Sequence, residues 1–105
     1  MRDRKSVMIV IYDLPTLTST QRRDAQIFRK KLLANSYVQL QESVYVKLLR
    51  NTSSTDSETA IVRELAPTEG VVQVLPMSLQ VFQNMRTLNG IGFDMKRFAD
   101  DLVFL

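Results

Sequence analysis

Asp13 is the residue in this sequence best placed to do chemistry. It ends an unbroken apolar run, residues 7–12, in the stretch "SVMIVIYDLPTLTSTQRRDAQ". A buried-strand pattern that stops at a carboxylate puts that carboxylate at a strand end. With side chains alternating along a strand, Asp13 shares a face with Val7, Ile9 and Ile11. Such a group can hold Mg²⁺ together with waters and substrate phosphates. The ion can activate water and stabilise charge building up on phosphorus. The same carboxylate can instead accept backbone N–H groups of the loop that follows and do no chemistry. Both uses are open from the residues alone.

Other chemistries are excluded by composition. The chain has no histidine and no cysteine, which removes disulfides, thiolate nucleophiles, the usual zinc sites and histidine acid–base catalysis. Ser43 and Thr16 have no neighbouring base to activate them. The three glycines, at 70, 90 and 92, do not form a phosphate-cradling loop.

Basic residues form the second candidate group. Residues 1–50 hold ten Lys and Arg against four Asp and Glu, a balance of +6; residues 51–105 hold four against seven, a balance of −3. That asymmetry points the first half at an anionic partner. Arg22 and Arg23 open the first predicted helix, where free N–H groups also attract phosphate. Arg29 and Lys30 lie one or two turns on. Arg2, Arg4 and Lys5 precede the first strand as an arm. No base-reading signature accompanies them, so backbone binding without sequence preference is expected. Tyr12, Tyr37 and Tyr45 lie in strand segments and read as core or interface residues, because the glycine–aromatic pattern of base-stacking sheets is missing.

The elements that position these groups follow from periodicity. Residues 7–12 read as a strand buried on both faces and stopped near Pro15. Residues 20–35 read as a helix capped by Thr18 or Ser19, with Gln21 three residues after Thr18. Its apolar stripe is Ala25, Phe28, Leu32 and Leu33, with Ile27 on the polar side. Residues 37–50 alternate, with Val38, Leu40, Val44, Val46 and Leu48 on one parity, as one bent strand or two joined near 41–43. A helix over about 55–66 uses Ala60, Ile61 and Leu65 and stops at Pro67. "GVVQVLPM" is a strand. Residues 79–88 read as a short helix begun by Ser78, using Leu79, Phe82, Met85 and Leu88. "DLVFL" reads as a terminal strand with no partner nearby in sequence.

This order, β-α-β-β-α-β, predicts an α+β, ferredoxin-like sheet with both main helices on one face. The length of 105 residues suits one domain, 1–105, with 78–105 as a C-terminal appendage. Two helices on one face leave the other apolar face bare, so a second copy of the chain is expected to cover it, and "DLVFL" to extend that copy's sheet. No apolar run reaches the roughly 20 residues that span a bilayer. A cytoplasmic protein is expected.

Four stretches together resemble the CRISPR-associated protein two family: "IVIYDLP", the basic first helix, "QESVY", and "VLPMSLQVFQNMRTLNG" before "LVFL". Length and C-terminal pattern are similar to the form found in type II systems. The resemblance implies a ferredoxin-like homodimer that bridges two dimers of the CRISPR integrase. The assembly would hold double-stranded protospacer DNA for insertion into the array. It also implies, as an alternative, a Mg-dependent endonuclease on RNA or double-stranded DNA, with the family's strand-end aspartate at Asp13.

Overall fold

A computed structural model describes residues 5–50 and 55–104. Its elements are β1 (Ser6–Asp13), α1 (Ser19–Ala34), β2 (Val38–Gln41), β3 (Val44–Leu49), α2 (Thr55–Leu65), β4 (Val71–Ser78), α3 (Leu79–Gln83) and α4 (Met95–Phe104). The four strands form one sheet in the order β2-β3-β1-β4, every neighbouring pair antiparallel. This is the ferredoxin-like arrangement: β1 and β2 run the same way with β3 inserted between them. The run 37–50 is two strands joined at Glu42 and Ser43, with Gln41 opposite Val44 and a bulge between Gln39 and Gln41.

α1 forms where its cap signals stand. The Thr18 hydroxyl accepts the Gln21 N–H at 3.0 Å, and the Gln21 side chain accepts the Thr18 N–H at 3.0 Å. This reciprocal pair satisfies two of the N–H groups a helix start leaves open. Phe28 and Leu32, four apart, are the residues α1 buries. α2 buries Val62 and the carboxylate Glu58. Leu33, Ala60 and Ile61, expected in the core, stay exposed. Leu33 and Ile61 each stand one position off a buried residue, and Ala60 stands two positions from both Glu58 and Val62.

The core lies in two parts, one on each side of the sheet. Met8, Val10, Tyr45 and Leu49 pack with Phe28, Leu32, Tyr37 and Val62 beneath α1 and α2. Fully burying side chains of this size stabilises by ~1.5–3 kcal/mol each. On the opposite side Val7, Ile9 and Val46 pack with Phe82, Met95 and Leu102.

That second cluster corrects two expectations. The terminal segment is a helix, not a strand. Asp94 Oδ1 accepts the Arg97 N–H at 3.1 Å at its start, and Met95, Ala99 and Leu102 are its buried stripe. A lone strand leaves its backbone groups unpaired, whereas a helix closes its own hydrogen bonds and buries the same side chains. The far face of the sheet is also not bare. α3 and α4 cover Val7 and Ile9, while Ile11, at 41% exposure, Val71 and Leu75 remain open.

α3 is shorter than expected. Ser78 Oγ accepts the Val81 N–H at 3.1 Å and Phe82 is buried, but the helix stops at Gln83. Met85 and Leu88 are exposed. With no apolar surface beneath them, a further turn has nothing to hold it.

Candidate nucleic-acid interface and the Asp13 cleft

The sheet brings Asp13 to the rim of a cleft of about 530 Å³. Tyr12, Asp13 and Thr16 line it from the end of β1, Arg22 and Arg29 from α1, and Gln39, Glu42 and Ser43 from the β2–β3 hairpin. Three separate segments thus meet where the first strand ends. The Tyr12 N–H donates to the Ser43 carbonyl at 3.1 Å, which ties the hairpin tip to the strand. Gly70 makes the other side of this junction possible. Its φ is +85°, and a Cβ there would lie 2.7 Å from the Asp13 carbonyl oxygen. Any larger residue would push the start of β4 away from Asp13.

Asp13 is exposed and makes no ion pair with a described residue. Arg22 and Arg29 share its cleft without bridging to it. Arg22 Nη1 donates instead to the carbonyls of Thr16 and Leu17, at 3.1 Å each. Arg29 is half-buried and lies near the Tyr12 hydroxyl. The Tyr12 ring is held edge-on to Phe28 (centroids 5.1 Å apart) and stacked on Tyr45 (5.9 Å). Tyr45 therefore covers one face of the ring, and the polar group that Tyr12 carries at the cleft is its hydroxyl. Burial, chiefly, and then the adjacent Tyr45 phenol push the Tyr12 hydroxyl up to about 12, while Arg29 pulls the other way. Tyr12 is thus a neutral O–H donor at physiological pH. Tyr37 and Tyr45 are buried, as their core reading required.

The other predicted cations fall in two places. Arg23 and Lys30 are exposed on α1 and do not line the cleft; Lys31, beside Lys30, is exposed too. Lys5 stands just before β1, and its carbonyl accepts the Leu79 N–H. Eight residues of strand at roughly 3.3 Å each put it about 26 Å from Asp13. Lys5 therefore stands outside the Asp13 cleft. Arg2 and Arg4 lie outside the described residues.

Among the described residues no three His, Cys, Asp or Glu side chains gather as a metal site. Asp13, with Glu42 lining the same cleft, fits a hard divalent cation only if phosphate and water oxygens complete the shell. Glu42, Gln39 and Ser43 were not legible as cleft residues, since no Asn-Gly or Asp-Gly pair marks their turn. No helix of the described residues is long and apolar enough to cross a membrane.

Comparison with known proteins fits this arrangement. Residues 6–85 match the protein family described as CRISPR associated protein Cas2. A protein of Streptococcus mutans named CRISPR-associated endoribonuclease Cas2 is 37% identical over 83 residues, covering 79% of this chain and 78% of its own. One of the same name from Treponema denticola is 34% identical over 83 residues, covering 79% and 82%. Another, from Lacticaseibacillus rhamnosus, is 28% identical over 99 residues, covering 93% and 98%. The β1 strand ending at Asp13, the basic α1 and the β2–β3 hairpin all fall inside the matched residues, and the chain belongs to the CRISPR-associated protein Cas2 family.

Proposed function

We propose that this protein is a structural, double-stranded-DNA-binding subunit of the CRISPR spacer-acquisition machinery. As a homodimer in the cytoplasm it bridges integrase dimers and clamps protospacer DNA for insertion into the array. The observation that carries this reading is α1. Arg22, Arg23, Arg29, Lys30 and Lys31 all sit on it, and none forms an ion pair with a described residue. Sixteen residues at 1.5 Å rise give a basic helix about 24 Å long, enough to follow several phosphates. If a dimer neutralised about six phosphates, affinity would fall roughly a thousandfold between 50 and 200 mM salt. The open strip of Ile11, Val71 and Leu75 supports self-association, because a second copy would bury it.

A second reading is a Mg-dependent endonuclease on RNA or DNA, favoured by the Asp13 cleft and by the relatives' name. Asp13 would hold the ion together with phosphate and water, and the ion would supply an activated water and charge stabilisation. Arg22 and Arg29 would bind the phosphate, and the Tyr12 hydroxyl would donate a hydrogen bond to it.

Spacer integration in vitro with the cognate integrase, comparing wild type with Asp13→Ala, separates the two. The dimer is checked by light scattering in both preparations. Retained integration supports the architectural role. Integration lost with dimer and DNA binding intact overturns it in favour of chemistry at Asp13. A stable monomer at micromolar concentration overturns the homodimer.

A further inference from the structure

The turn between β1 and α1 holds a large apolar side chain out in solvent. Leu17 is 88% exposed. A single exposed leucine is ordinary on a protein surface. This one differs in how its backbone is held. The Leu17 and Thr18 N–H groups both donate to Gln21 Oε1, at 2.9 and 3.0 Å. Arg22 Nη1 donates to the carbonyls of Thr16 and Leu17 from the other side. Gln21 Nε2 in turn donates to Glu69 Oε2 at 3.2 Å, which anchors the brace to the loop before β4. These hydrogen bonds brace the turn before anything binds, which lowers the ordering entropy to be lost on contact.

The neighbours of Leu17 indicate what it meets. Thr16, Thr18 and Ser19 are exposed, and their hydroxyls suit phosphate oxygens, as does the Arg22 guanidinium lying against the Leu17 carbonyl. Leu17 is the one large apolar residue in the exposed run 16–19, with threonines on both sides in sequence. That shape suits a narrow groove edged by phosphates better than a broad apolar protein interface. We propose that Leu17 enters the minor groove of bound duplex DNA as an apolar wedge, with the flanking hydroxyls and Arg22 on the phosphates at its edges. Apolar side chains used in this way contact sugars and base edges, and can unstack a base step and bend the duplex. The inference rests on the duplex-binding reading of the protein. It assigns a contact that positions DNA through shape and does not read sequence.

The test is fluorescence anisotropy with full-length protein and a short fluorescein-labelled duplex of mixed sequence, across a salt series. Dyes on the two duplex ends report bending by energy transfer. Leu17→Ala is expected to bind about tenfold more weakly, from the lost apolar burial. Its salt slope should stay unchanged, because an apolar contact releases no counterions. Bending should fall, and Leu17→Met should restore most of both. The leucine is fully outside the core, so these variants fold. Wild-type affinity in Leu17→Ala overturns the wedge, and so does a flatter salt slope, which would place the effect on the charges. Normal DNA binding with lost integrase association also overturns it, and assigns the tip to a protein partner. An Arg23→Glu/Lys30→Glu double variant separates this failure from that of the parent reading. If the double variant binds poorly while Leu17→Ala binds normally, only the wedge falls. If wild type shows no salt-dependent binding at all, the duplex-binding reading falls and takes the wedge with it.

Discussion

Two groups of a carboxylate, basic residues and a tyrosine stand in this molecule, and they are built in opposite ways. The first is Glu58, Lys47 and Tyr37. Glu58 is 5% exposed; the Tyr37 hydroxyl donates to it at 3.0 Å and Lys47 Nζ at 3.1 Å. Lys47 also lies 5.6 Å over the Tyr37 ring. The second is Asp13, Arg22, Arg29 and Tyr12. Its carboxylate is exposed, its arginines do not pair with it, and the group borders open space. In the first, every polar group is used inside the fold. In the second, the charges at the rim form no ion pair with a described residue. The difference separates groups that hold α2 on the sheet from groups free to meet a ligand. Residue type does not distinguish them; burial and partners do.

The comparison breaks first at Glu58. Glu58→Ala leaves the Tyr37 hydroxyl without its acceptor and Lys47 without its counter-charge. It should cost about 2–3 kcal/mol in urea denaturation. A loss below about 0.5 kcal/mol would mean that the triad does not anchor α2. Next in size, Arg23→Glu with Lys30→Glu should weaken duplex binding at least tenfold and flatten the salt slope. Stability should stay within about 0.5 kcal/mol of wild type, since both residues are exposed and form no ion pair with a described residue. Unchanged DNA retention by the assembled complex would remove α1 from the interface. Asp13→Ala should also leave stability within about 0.5 kcal/mol. A larger loss would place Asp13 among the structural groups, beside Glu58.

The smallest signal is spectroscopic. Phenolate absorbance from Tyr12 should appear only near pH 12. Tyr37 should titrate later still, because burial first and then the Glu58 charge hold its proton on. Raised acid pKa values of this kind leave the folded state holding protons that the unfolded chain has released. Their contribution is complete below pH ~10 and is lost as pH rises through the folded values. Stability measured from pH 9 to 12 should therefore fall. A Tyr12 signal near pH 10 would show that its hydroxyl is not shielded.

Much of this was legible in the residues. The continuous apolar run of β1, the Thr18–Gln21 capping pair and the shared parity of Val38 to Leu48 each report a local rule that the fold obeys. The Asp13 position followed from the same run. The cleft around it did not, because Gln39, Glu42 and Ser43 come from a hairpin whose turn carries no distinctive pair. Glu58 was invisible as a core residue, since a carboxylate on a helix ordinarily faces water and only Lys47 and Tyr37 make its burial tolerable. The C-terminal segment misled for a related reason. Five apolar-rich residues at a chain end suit a strand, and only the span from Met95 to Leu102 carries the helical spacing.

By itself the sequence determined the element order from β1 to α3, the central buried strand, the strand-end aspartate and the basic first helix. These depend on local periodicity, capping and composition, which short-range physics decides. Tertiary structure alone decided which charges are paired, which face α3 and α4 cover, and where Leu17 is held. Those outcomes depend on groups far apart in the chain meeting, and a buried polar group is stable only where its distant partner arrives.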